Sequence, residues 1–173
     1  MLTSAAVSLE EYLHTTYDPD REYVAGQLVE RNVGEYYHSR MQLLIALLLG
    51  GREQKRRFRV FTEQRVRVSD EPRYRIPDIC VKALPHAVTP ILERPDLVIE
   101  VLSPDDRPSD LLEKIVDYQK AGIRHIWIVD PYARTVFEAN GRVVHPDKLV
   151  LETELVGAVD FGPLFAQLAE PAD

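Results

Sequence analysis

Residues 95–130 read PDLVIEVLSPDDRPSDLLEKIVDYQKAGIRHIWIVD. Leu97 to Ser103 is almost continuously apolar, the pattern of a strand covered on both faces. Asp110 to Ala121 has helical periodicity, with Asp110 expected as the N-cap and Glu113 at the third helical position, a capping-box pattern. Gly122 ends that helix. His125 to Asp130 is a second apolar strand, stopped by Pro131. Strand, helix and strand in this order predict a βαβ unit with a right-handed crossover.

The elements on either side fit around that unit. Ser8 to Thr16 reads as a short helix with Ser8 as N-cap and Glu10 and Glu11 in the first turn. Glu22 to Arg31 reads as a tight hairpin turning near Ala25-Gly26. His38 to about Arg52 is a strong helix whose broad apolar surface (Met41, Leu44, Ile45, Leu48, widened by Leu43 and Leu47) calls for burial against a sheet. Arg59 to Val68 alternates and is expected to be one strand with a polar face. Ile76 to Val81 is another strand. Thr135 to Ala139 and Arg142 to Val144 are expected to pair around Asn140-Gly141. The C-terminal residues suggest small strands and a short helix near Pro163 to Leu168. Together these predict one α/β (α+β) domain over residues 1–173, a mixed sheet with helices on both sides.

Composition narrows the function. The chain has 173 residues, 45% hydrophobic and 28% charged, with a net charge of −7, which is ordinary for a globular domain. A uniformly basic nucleic-acid surface is therefore excluded. Charge is uneven, however: Arg52 to Arg75 holds nine Lys/Arg against four Asp/Glu. That stretch is either a phosphate-holding face or a solvated helix end and strand face. The single cysteine, Cys80, rules out an internal disulfide and a thiolate metal site. The N-terminus lacks a signal-peptide pattern, and no apolar run approaches the roughly 20 residues of a membrane span. The expectation is a cytoplasmic protein away from membranes.

Glu100 does not fit the apolar run around it. A buried Glu is rare unless it is paired or holds a metal. Asp78, in IPDICV, repeats the anomaly on a second strand. Carboxylates from neighbouring strands can converge on Mg²⁺, a hard cation that takes one or two carboxylates and keeps several waters. Either residue could equally lie at a strand end in solvent or pair with an arginine. Asp110, Lys114 and Tyr118, spaced i, i+4, i+8, share a helix stripe, so Lys114 can lean towards Glu100 or form an exposed pair with Asp110. No glycine-rich phosphate loop is present, nor a G-x-S-x-G elbow, and the five histidines lack metal-binding spacing.

IPDICV, PDLVIEVLSP, the Asp-Lys-Tyr stripe at 110, 114 and 118, and GIRHIWIVDP together resemble the Uma-two family of endonucleases, within the PD-(D/E)xK nuclease superfamily. DREYVAGQLVER resembles the N-terminal hairpin of that family, and His38 matches a histidine that opens its long helix. The resemblance implies a restriction-endonuclease-like fold and cleavage of DNA with Mg²⁺ or Mn²⁺. It implies that Asp78 and Glu100 ligate the metal and that Lys114 is the catalytic lysine. The superfamily usually carries that lysine two residues after the second acid, where this chain has Leu102. Glu22 and His38 would support the site as further ligand, outer contact or substrate contact. A homodimer would suit cleavage of both strands. Two other readings remain open: an inactive nuclease fold that binds nucleic acid or protein, and a metal-free hydrolase built on paired carboxylates.

Overall fold

The computed structural model describes residues 7–30, 35–139 and 149–168. Helix α1 (Leu9–His14) starts at Ser8, whose hydroxyl accepts the Glu11 N–H at 3.1 Å. Strands β1 (Arg21–Val24) and β2 (Gln27–Glu30) form the expected hairpin. Ala25 and Gly26 both take positive φ, 50° and 84°, the turn that matches strand twist. Helix α2 (Tyr36–Gly50) begins two residues before His38, and a one-turn helix, α3 (Glu53–Arg56), follows.

The segment expected as one strand from Arg59 to Val68 is two. Strand β3 (Phe58–Thr62) and strand β4 (Val66–Arg67) lie in different sheets. Glu63 breaks the run with φ 52°, a left-handed conformation that no strand ladder accommodates. The Gln64 amide then bonds the Pro90 carbonyl at 2.9 Å, and the Arg65 guanidinium lies 4.2 Å over the Tyr12 ring. These contacts carry the chain from one sheet to the other. Strand β5 (Arg73–Arg75) pairs with both β1 and β4.

Strand β6 (Ile79–Ala83) starts three residues later than Ile76. Pro77 has no N–H to give a ladder. The Ile76 N–H goes to a Glu22 carboxylate oxygen instead, at 3.0 Å. Strand β7 (Leu92–Glu93) is short. Strand β8 (Leu97–Val101), helix α4 (Pro108–Lys120) and strand β9 (His125–Asp130) form the expected unit, with β8 and β9 parallel. Helix α4 begins at Pro108, with Arg107 as its N-cap and no side-chain cap, so Asp110 is not the cap residue. Proline suits the first helical position because that N–H has no partner there. Asp110 sits in the first turn, where the helix dipole favours a carboxylate.

Strand β10 (Thr135–Glu138) pairs with β9. The partner strand expected at Arg142 to Val144, and the turn at Asn140-Gly141, lie outside the described residues. Strands β11 (Val150–Thr153) and β12 (Gly157–Asp160) make a hairpin, and α5 (Gly162–Ala166) follows.

One five-stranded sheet has the order β10-β9-β8-β6-β3, and a second has β2-β1-β5-β4-β7. Side chains alternate across β8, and each face has its own core. Leu97, Ile99 and Val101 pack against Met41, Ile45 and Leu49 of α2, and against Phe161 and Phe165 at the C-terminal end. Val98 packs on the other face with Cys80, Ile126 and Ile128, under Ile115 and Tyr118 of α4. Tyr12, Tyr23 and Tyr74 form a third cluster beneath the second sheet. Among the described residues no helix is long and apolar enough to cross a membrane.

Candidate active site

Glu100 follows Val98 on the face that α4 covers. It is 3% exposed. Tyr118 donates its hydroxyl to Oε1 at 2.5 Å, and Lys114, one helical turn earlier, places Nζ 3.2 Å from Oε2. Burial pushes the Glu100 carboxyl above the usual glutamate range. The Lys114 ammonium works against that, while the nearby Asp78 carboxylate adds to it; the Tyr118 hydrogen bond again lowers it. Burial, then the Glu100 charge, pushes the Tyr118 hydroxyl well above its usual range, so it stays a donor.

Asp78 stands just before β6. Its Oδ2 accepts the Val101 N–H at 2.8 Å, and the His38 Nε2 lies 3.3 Å away. Its main-chain carbonyl accepts from the Gln42 amide at 3.1 Å and from the Glu63 N–H at 3.1 Å. The left-handed residue that splits β3 from β4 thus also fixes Asp78. Because Val101 follows Glu100 directly, one strand backbone ties the two carboxylates together.

Glu22, on β1, is 1% exposed. Its Oε2 accepts from Arg75 at 2.8 Å, and its Oε1 lies 3.8 Å from the Lys114 ammonium. Arg75 in turn is held by Asp117, with both contacts at 2.7 Å. Burial alone would lower the pKa of Arg75, but Glu22 and Asp117 outweigh it and raise it. Lys114 therefore lies between two buried carboxylates, while its side chain keeps 22% exposure to solvent.

Glu22, His38, Asp78, Glu100 and Lys114 line one cleft of about 190 Å³. The structure brings together all five residues singled out from the sequence. Asp110 lines the same cleft. The residues that sequence reasoning missed are Arg75 and Asp117, the buried pair behind Glu22. Their signal was faint: Arg75 follows Tyr74 and precedes Ile76, both apolar and both buried.

The donor chemistry fits a hard divalent cation. Two carboxylates supply oxygen ligands, and Mg²⁺ commonly takes no more from a protein. A buried carboxyl whose ionisation a neighbouring carboxylate opposes, as Asp78 does for Glu100, is an environment that a cation relieves. Among the described residues no group of three His, Cys, Asp or Glu is arranged to hold a metal ion. Water and substrate oxygens would have to complete a coordination shell.

The basic stretch from Arg52 to Arg75 is largely spent on internal contacts. Arg52 donates to the Val156 and Ala158 carbonyls, and Arg56 to that of Glu154. Arg59 pairs with Glu53 and Arg67 with Glu93. Arg73 and Arg75 meet Asp117 and Glu113.

The family model described as "Uma2: Putative restriction endonuclease" matches residues 9–150. A solved structure described as "a putative nuclease belonging to DUF820 from Anabaena variabilis" superposes with a TM-score of 0.79. It is 25% identical, and the alignment covers 94% of this chain and 99% of that one. No curated protein matches. The mixed α/β arrangement described above is thus a nuclease fold.

Proposed function

The chain belongs to the Uma2 family, and on that premise we propose that it is an endonuclease that hydrolyses phosphodiester bonds of DNA with Mg²⁺ or Mn²⁺. Asp78 and Glu100 would hold the metal. The observation that carries this reading is the convergence of Lys114 on Glu100, on the strand whose backbone also binds Asp78. A bound divalent cation supplies Lewis-acid stabilisation of charge on the phosphate and a more acidic water.

The protein's own groups do the rest. Val101 N–H and His38 fix the Asp78 carboxylate and orient its oxygens. Tyr118 holds one oxygen of Glu100 and leaves the other towards Lys114. The Lys114 ammonium, reachable from solvent, neutralises charge as it develops on a phosphate and orients an attacking water. Glu22 helps hold that ammonium in place, and Arg75 with Asp117 keeps Glu22 from moving. A homodimer carrying two such clefts belongs to the same proposal.

Titration calorimetry of Mn²⁺ into wild type and Glu100→Gln, beside cleavage assays on the same preparations, tests this. Wild type is expected to bind metal and cut DNA. Glu100→Gln and Asp78→Asn are expected to lose metal binding and about 10³-fold or more of the cleavage rate. Lys114→Met is expected to keep metal binding and lose cleavage. Equal cleavage by Glu100→Gln and wild type would overturn the assignment. DNA retained by wild type without cleavage would favour a nuclease fold used for binding alone.

A further inference from the structure

A chain of exposed aromatic rings that the metal chemistry does not use runs from Tyr36 through Tyr37 to Tyr132. Tyr36 and Tyr37 open α2, directly before His38, and are 63% and 40% exposed. Tyr132, just past β9, is 40% exposed. The rings of Tyr36 and Tyr37 meet edge-on at 5.4 Å, and those of Tyr37 and Tyr132 meet edge-on at 5.4 Å. The Tyr132 hydroxyl donates to Glu35 at 3.1 Å.

Tyr132 also lines a cavity of about 410 Å³, walled by Leu102, Pro104, Pro108 and Leu111, with Arg107 at its edge. Ser103 and Asp106 line both this cavity and the catalytic cleft, so the two adjoin. The cavity is built rather than incidental. Asp106 accepts the Ser103 N–H at 2.7 Å, and Asp130 accepts the N–H groups of Tyr132 and Ala133 at 2.9 and 2.8 Å. Its volume falls within the range of small-molecule sites, and its lining combines apolar walls with a few polar groups.

We propose that this cavity and its tyrosine rim receive an unstacked nucleobase of the strand whose phosphate lies in the cleft, so that the substrate is single-stranded or locally unpaired DNA. The inference rests on the nuclease reading and adds its substrate class. A flat apolar ring next to an aromatic edge recovers the stacking that a base loses on leaving its neighbours, and any base can provide it. A base inside an intact duplex cannot reach such a cavity without being extruded, at a cost of a few kcal/mol. The acidity of the chain points the same way. A net charge of −7 and a basic stretch largely spent on internal contacts leave little to grip two continuous phosphate backbones.

The test uses the full chain and a short oligonucleotide carrying 2-aminopurine, whose fluorescence is quenched by stacking on an aromatic ring. Ca²⁺ replaces Mg²⁺ to hold cleavage off. Wild type is expected to quench the probe in a single strand, and to bind the matching duplex about tenfold or more weakly. Y37L/Y132L is expected to lose the quench and about tenfold or more in affinity, whereas Y37F/Y132F keeps both. The thermal unfolding midpoint shows that each variant is folded. Equal binding of strand and duplex, or a quench that survives Y37L/Y132L, would overturn the proposal. So would a wild-type dimer that Y37L/Y132L makes monomeric with DNA affinity unchanged, since the tyrosines would then be a self-association surface. Cleavage in Mn²⁺ is followed separately. A strand bound with quenching but never cut sinks the nuclease reading and leaves the base site standing; a strand cut without quenching does the reverse.

Discussion

Glu100 is a residue that the fold tolerates at a cost. Burial raises its pKa, so the folded state prefers the neutral acid more strongly than the unfolded chain does. Its stabilising contribution is fully present below the ordinary glutamate range and is lost as pH rises from there through the raised pKa. In metal-free buffer Glu100→Gln is therefore expected to be more stable than wild type at neutral pH, by about 1 kcal/mol. That advantage should fade in acid. Denaturant unfolding across pH checks it, and a variant less stable than wild type at neutral pH would contradict it. Glu100 and Asp78 were legible in the sequence because a carboxylate interrupts an apolar run at each place. The spacing of Lys114 to Asp110 and Tyr118 left it either leaning towards Glu100 or in an exposed pair, and only the family resemblance gave it a role. Arg75 and Asp117 were not legible, because a buried ion pair joins residues 42 apart and each alone looks like surface charge.

At the scale of elements, α4 determines where Lys114 and Tyr118 stand. Its C-terminal end is closed by Gly122 with φ 76°, while the Ile123 N–H returns to the Tyr118 carbonyl at 3.1 Å. A Cβ at Gly122 would meet no heavy atom within 4 Å, so substitution there acts on the backbone conformation alone. Gly122→Ala is expected to cost about 1 kcal/mol, and Gly122→Asn less, since asparagine tolerates that conformation better. Thermal unfolding distinguishes them, and equal midpoints for Ala and wild type would refute the account. The βαβ unit was readable because periodicity over a long segment averages out local noise. The break at Glu63 was not, because Val66 and Val68 continue the alternation of β3 unchanged. What splits the run is tertiary: Tyr12 under Arg65 and the Pro90 carbonyl near Gln64. The start of α4 was misread for a related reason, since Asp110 and Glu113 imitate a cap two residues inside a helix that Pro108 opens.

For the whole molecule, charge sets how nucleic acid is held. With the basic stretch engaged internally, about two or three phosphates are expected to be neutralised when a strand binds. The logarithm of affinity should then fall with that of salt at a slope shallower than about −2.5, at roughly −0.7 per phosphate of a single strand. A titration over salt concentration reads this directly, and a slope steeper than about −5 would show an extensive basic surface at work. The architecture of a mixed sheet between helices was legible in the alternation of strand and helix patterns, but its division into two five-stranded sheets was not, because β4, β5 and β7 are two or three residues each. The position of Lys114 has one more consequence. A lysine two residues from its acid would ride on the same strand and could not be separated from it. Here the two are 14 residues apart, on consecutive elements joined by a short connection and by side-chain packing. A slide of α4 by a single residue, about 1.5 Å, would withdraw the ammonium while both carboxylates stayed where they are. On the proposed function, cleavage would then depend on how firmly that helix is held against the sheet.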